Sequence, residues 1–142
     1  MKKKLCIALA AALSLSLLLS GCSGAKPLPD GMDQEEVADA AQAIVHQLLN
    51  EEYQAVADAF RPDLKAKYGV TADAIEALMA TVEEAGAFVA MEETLVLGGK
   101  NKDFDEPYAA VSVYCELEEE DVVYEMSLDM DLALLGLAAN QK

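Results

Sequence analysis

From Tyr108 to Leu128 the chain alternates apolar and polar residues, a period of two that fits an extended strand with one buried face. Ala109, Val111, Val113, Cys115 and Leu117 share one side of a strand over Tyr108–Glu118. Glu119 and Glu120 suit a turn, and Val122, Tyr124, Met126 and Leu128 share one side of the strand that returns. Such a hairpin is marginal by itself in water, so it needs further strands and a covering layer. Phe88–Leu97, apolar and β-branched and closed by Gly98-Gly99, reads as the preceding strand. Leu132–Leu137 reads as a short last one.

The covering layer comes first in the chain. Val37, Ala41, Ile44, Val45, Leu48 and Leu49 recur at helical spacing, with Glu35, Asp39, Gln42 and His46 on the opposite side. Asp33 suits the N-cap, and Asn50 breaks the pattern. A second short helical piece, Glu51–Phe60, offers Tyr53, Val56, Ala57 and Phe60, and Pro62 ends or redirects it. Thr71 caps a third helix, whose Ile75, Leu78, Met79 and Val82 form one apolar stripe, and Gly86 is placed to terminate it. Helices followed by a strand meander read as an α+β fold, with N-terminal helices packed on an antiparallel sheet of about four strands.

Three stretches, "LLNEEYQAVADAFRPDL", "ALMATVEEAGAFVAMEE" and "YAAVSVYCELEEEDVVYEMSLDMDLALLGL", together resemble the bacterial domain of unknown function 3887. That group is similar to the nuclear transport factor 2-like, or SnoaL-like, cone folds. The pattern is Tyr53-x-Ala55-Val56-x-x-x-Phe60, then Gly86-x-Phe88, Tyr108-Ala109-x-Val111, Ser127-Leu128-Asp129 and Gly136-Leu137. It runs through nearly all of Gln34–Leu137. The resemblance implies a curved sheet wrapped on helices into a cone, with a pocket at the wide end. It implies no activity, because one fold hosts enzymes, binders and interaction modules.

Ahead of this domain, Lys2, Lys3 and Lys4 precede an apolar run from Leu5 to Leu19, the layout of a secretory signal peptide. Leu19-Ser20-Gly21-Cys22 resembles the lipobox of bacterial lipoproteins. The resemblance implies a diacylglyceryl group on the Cys22 sulfur and cleavage between Gly21 and Cys22. The small Ser20 and Gly21 suit a peptidase that must approach closely. The stretch from Ser23 to Gly31 holds two prolines and two glycines and reads as linker, roughly 30 Å long if fully extended. The expected organisation is a signal peptide over 1–21, a lipidated Cys22 with a flexible linker over 22–32, and one domain over 33–142.

Charge then limits the partners. Three of the ten basic residues lie in the signal, which leaves seven against 26 acidic residues, a formal −19. Nucleic acid and anionic lipid both repel such a chain. The expected membrane attachment is therefore through acyl chains on Cys22, holding the domain outside the cytoplasm of a bacterial cell. A protein or small-molecule ligand and a homodimer are the remaining partner classes. Cys6 lies in the signal and Cys22 is the lipid site, so Cys115 is left without a disulfide partner and reads as a small buried hydrophobe.

No constellation for chemistry stands out, and no motif asks for a metal or cofactor. The single histidine, His46, falls on a polar helical stripe and reads as exposed. Asp58, Asp129 and Asp131 have no assignable partner, and Asp129 and Asp131 read as a solvated turn. Asn101, Asp103 and Asp105 have the spacing of a calcium loop, but Glu106 and Ser112 stand where glycine and glutamate are needed. A polar hairpin loop fits that stretch better. Tyr53, Phe60, Tyr114 and Tyr124 are the candidates for a pocket or a dimer face. The reading favoured is a tethered, non-catalytic binding or interaction domain. The alternatives are a small isomerase or dehydratase and a structural accessory of the cell envelope. A buried acid beside a tyrosine in one pocket would favour the enzyme.

Overall fold

The computed structural model describes residues 27–100 and 106–142. The signal segment with Gly21 and Cys22, and the loop at 101–105, lie outside the described residues. Among the described residues four helices come first: α1 (Gln34–Leu49), α2 (Tyr53–Ala59), α3 (Pro62–Tyr68) and α4 (Ala72–Ala80). A short 3-10 turn, Glu83–Ala85, leads into β1 (Phe88–Lys100), β2 (Pro107–Leu117), β3 (Val122–Leu128) and β4 (Leu134–Gln141). The strands form one antiparallel sheet in the order β1-β2-β3-β4, an α+β fold with the helices N-terminal to the sheet.

Local chemistry explains the helix starts. The Asp33 carboxylate accepts from the backbone N–H of Glu35 and Glu36 at 2.9 and 3.0 Å, satisfying two donors that α1 cannot. The Thr71 hydroxyl does the same for Ala74 at 3.2 Å at the start of α4. α3 is the helix that the sequence pattern missed. Pro62 does not only end the preceding segment. It sits in the first turn of a new helix, where its missing N–H costs nothing, and Gly69 closes that helix in the left-handed region at φ 62°. At seven residues each, α2 and α3 are too short to persist alone. They are held by what they bury.

The core lies between the helices and one face of the sheet. Val37, Ala41, Val45 and Leu48 of α1 meet Val111, Val113 and Cys115 of β2 and Tyr124 and Leu128 of β3, all essentially without exposure. The register aligns Val113 with Tyr124 and Cys115 with Val122, so the alternation read from the sequence holds on both strands. Leu28 and Met32, ahead of α1, also pack against this core.

Both edges of the sheet are irregular. β1 slips register twice against β2, between Phe88 and Ala90 and between Met91 and Glu93. β1 also runs on through Gly98-Gly99, past its expected end. At the other edge, Phe60 makes a parallel bridge to Leu134, and the Arg61 N–H donates to the Leu134 carbonyl at 3.0 Å. β4 begins later than its sequence pattern suggested, because Leu132 belongs to the turn before it. There Leu132 takes a left-handed φ of 64°, and the Asp129 carboxylate accepts from the N–H of Asp131 and of Ala133, both at 2.9 Å.

Candidate functional site

An open groove of about 470 Å³ lies where the helices meet one end of the sheet. Its floor and walls are apolar, from Leu48 and Leu49 at the end of α1, Met79 of α4, Val82 and Leu117. Tyr124 reaches it from β3, Tyr53 from the start of α2, and the half-exposed ring of Phe88 from the start of β1. Glu51, Glu76 and Glu83 complete the lining. The chain shapes this site with two turns. Glu51 takes a left-handed φ of 59° between α1 and α2, which carries the chain into α2 and toward Tyr53. Gly86 has φ 87°, and a Cβ there would come within 3.1 Å of the Glu118 Cβ. Glycine is therefore required where the 3-10 turn docks on the end of β2.

The groove's polar groups differ in setting. Tyr124 is fully buried, and its hydroxyl has no hydrogen-bond partner among the described residues. Burial, with a smaller contribution from Cys115, pushes this phenol up to about 12, so it stays protonated and able to donate. Tyr53 is also raised, first by desolvation and then by the charges of Glu51, Glu76 and Glu83 around it. Neither phenol can act as a base near neutral pH. Cys115, buried next to this end of the core, is pushed up to about 11 and is a thiol rather than a nucleophilic thiolate.

The four aromatic candidates are not brought together. Tyr53 and Tyr124 share the groove. Phe60 lines a separate apolar hollow of about 310 Å³ with Leu64, Tyr68 and Leu137. Tyr114 is on the opposite face of the sheet, with the Lys142 ammonium 4.1 Å from its ring centre. His46 is exposed on α1, as its stripe implied. Among the described residues there is no cluster of His, Cys, Asp and Glu able to hold a metal ion.

Asp129 corrects the sequence reading. It was expected in a solvated turn, yet it is 7% exposed. One carboxylate oxygen gathers the turn's N–H groups, and the other lies 3.7 Å from the Arg61 guanidinium. Arg61 also binds Asp63 at 2.8 Å and Glu106. This buried carboxylate is closed into a structural cluster and does not line the groove. Sequence reasoning missed the partnership because Arg61 and Asp129 lie in different layers. A signal was present in part: Asp followed by a short polar turn is a common side-chain-to-backbone turn.

The family described as "Protein of unknown function (DUF3887)" matches residues 41–137, and the chain belongs to it. A solved structure, "NMR structure of protein from Ruminococcus gnavus ATCC 29149", is similar at 24% identity with a TM-score of 0.66. The match covers 80% of this chain and 96% of that one, and at this identity it supports the fold alone. No curated protein matches. Among the described residues no helix is long and apolar enough to cross a membrane.

Proposed function

Starting from membership of a family that carries no assigned activity, we propose that this chain is a membrane-tethered extracytoplasmic lipoprotein whose folded domain is a non-catalytic binding module. Tethering rests on the basic start, the apolar run and the lipobox-like Leu19-Ser20-Gly21-Cys22. Two acyl chains hold a protein at a bilayer where a domain of formal charge −19 would otherwise be repelled from anionic headgroups. The SnoaL-like likeness of the family belongs to the same reading and supplies the expectation of a ligand at one end of the sheet.

One observation supports binding over catalysis. The groove's phenols are held in their protonated form and its carboxylates, Glu51, Glu76 and Glu83, are exposed, while Asp129, the buried carboxylate, is engaged with Arg61 elsewhere. An isomerase or dehydratase needs a tuned base facing its substrate. Two experiments test the proposal. Metabolic labelling with an alkyne fatty acid should tag the parent and fail with Cys22→Ala; equal labelling of both sinks the tether. A substrate screen for isomerase, dehydratase and hydrolase turnover should be silent. Turnover abolished by Tyr53→Phe or Tyr124→Phe would make the domain an enzyme.

A further inference from the structure

The chain enters its domain at one end of α1 and forms its groove at the other. α1 starts at Gln34, just after Gly31 and Met32, and it finishes at Leu48 and Leu49, which line the groove. Its 16 residues separate the two ends by about 24 Å, at roughly 1.5 Å per residue. The sheet has the same polarity. A Cβ at Gly31 would meet the Met130 Cε at 3.4 Å, so the entering chain lies against the turn between β3 and β4. Leu128, just before that turn, pairs with Ala109. Leu117 and Phe88 pair with each other at the opposite end and line the groove. Ala109 and Leu117 are about 27 Å apart along β2, at roughly 3.4 Å per residue. Leu28 and Met32 pack against the core, which holds the entering segment in place from Leu28 onward. Met130, 42% exposed, stands out from that same end.

Resting on the tether through Cys22 proposed above, we infer that the Gly31–Met130 end of the domain faces an anionic bilayer and that the groove is held away from it, on the aqueous side. Residues 23–27 separate Cys22 from Leu28, a reach of roughly 20 Å at full extension. The Met130 end therefore stays beside the lipid in every pose, and the far end is free to swing. Charge decides where it points. Four consecutive acids, Glu118 to Asp121, form the turn between β2 and β3 at the groove end, and exposed Glu51, Glu76 and Glu83 line the groove. Lys142 ends there too, with its backbone N–H donating to the Asp121 carbonyl and its ammonium over the Tyr114 ring. One lysine does not offset so many carboxylates. Acids lie at the Met130 end as well, but the tether prevents that end from retreating. The groove end can retreat from anionic headgroups, and like charge turns it outward. A ligand of the groove then comes from solution, not from the leaflet that carries the tether.

The test places a fluorophore at either end of the full chain, purified from membranes and reconstituted into vesicles of mixed neutral and anionic phospholipid with nitroxide on a fraction of the headgroups. Cys115 is buried and its thiol is pushed up to about 11, so a cysteine introduced on the surface reacts first. Met130→Cys and Glu120→Cys carry the probe, and Asp131→Cys and Glu84→Cys repeat the comparison, all at exposed positions. An alkyne fatty acid in the same preparations reports the tether separately. At low salt the probes at 130 and 131 should be quenched, and quenching should be lost at 84 and 120. Raising salt from about 0.1 M to about 1 M shortens the screening length from about 10 Å to about 3 Å and should restore part of the quenching at 84 and 120. Equal quenching at both ends at low salt, or stronger quenching at 84 and 120, in protein that carries the alkyne label would overturn the orientation and leave the tether standing. Labelled protein quenched at neither end would also overturn it, because the chain is too short to hold Met130 so far from the lipid. Absence of the label would remove the tether, and the orientation with it.

Discussion

Two corners of this molecule spend their polar groups in opposite ways. At the Arg61 corner, Asp63, Glu106 and Asp129 converge on one guanidinium, and Asp129 also ties the turn before β4. At the groove, three glutamates and the Tyr124 hydroxyl have no protein partner among the described residues. The first corner is closed and holds β4 against the Phe60–Arg61 segment. The second is open. A buried polar group left unpartnered lowers stability, so the difference separates groups that stabilise the fold from groups that do not.

Alkali should test this division most strongly. Cys115 ordinarily loses its proton near 9.0 and Tyr124 near 10.0, but in the fold they hold it to about 11 and about 12. Below pH 9 both are protonated whether folded or not. Above it the unfolded chain releases protons that the folded chain keeps, so stability falls from about pH 9 to about pH 12. Each two-unit shift is worth roughly 2–3 kcal/mol. Denaturant titrations across that range should show the loss, and Tyr124→Phe should remove Tyr124's share. Arg61 stays charged throughout, so the loss should arise from the groove side alone. An unchanged slope in the variant would break the comparison.

Arg61→Ala comes next. It leaves Asp129 buried without its cation and should cost about 2–4 kcal/mol by chemical denaturation. A cost below one kcal/mol would mean that the turn holds Asp129 by itself. Tyr124→Phe should have the opposite sign at neutral pH and stabilise the free protein by about 1 kcal/mol, since it deletes a buried hydroxyl with no partner. Destabilisation would show that the hydroxyl is satisfied. Lys65→Ala is the smallest. It removes an exposed pair with Asp58, and no shift in midpoint should be detectable.

Periodicity carried the elements that bury one face along their whole length. α1, β2 and β3 read true because every second, or every third to fourth, residue enters the core. The elements decided by a single backbone position did not read as well. α3 depends on Pro62 serving as a start, and the onset of β4 depends on Leu132 turning left-handed under the pull of Asp129. β1 was cut short because its glycines looked like a boundary, whereas they pair with Ala109 and Tyr108 of β2. The groove was legible only as separate residues. Tyr53 and Tyr124 were candidates, but their meeting depends on how α2 and α4 pack over the sheet, and no local pattern encodes that. Glu51, Glu76 and Glu83 carry no sequence signal of their own, because lack of a partner is a property of three-dimensional neighbours.

The two register slips in β1 have a consequence for how copies of this chain meet. A sheet that ends in a long free strand is a template for more strands. Here the 13-residue edge is bent by two irregularities near its start, and Glu92 and Glu93 sit at the second of them. A second copy approaching edge to edge would find broken hydrogen-bond spacing and its own carboxylates facing like charges. The opposite edge is partly occupied at its start by Phe60 and Arg61. The first part of the β1 edge, up to Glu93, is thus a poor template for a further strand.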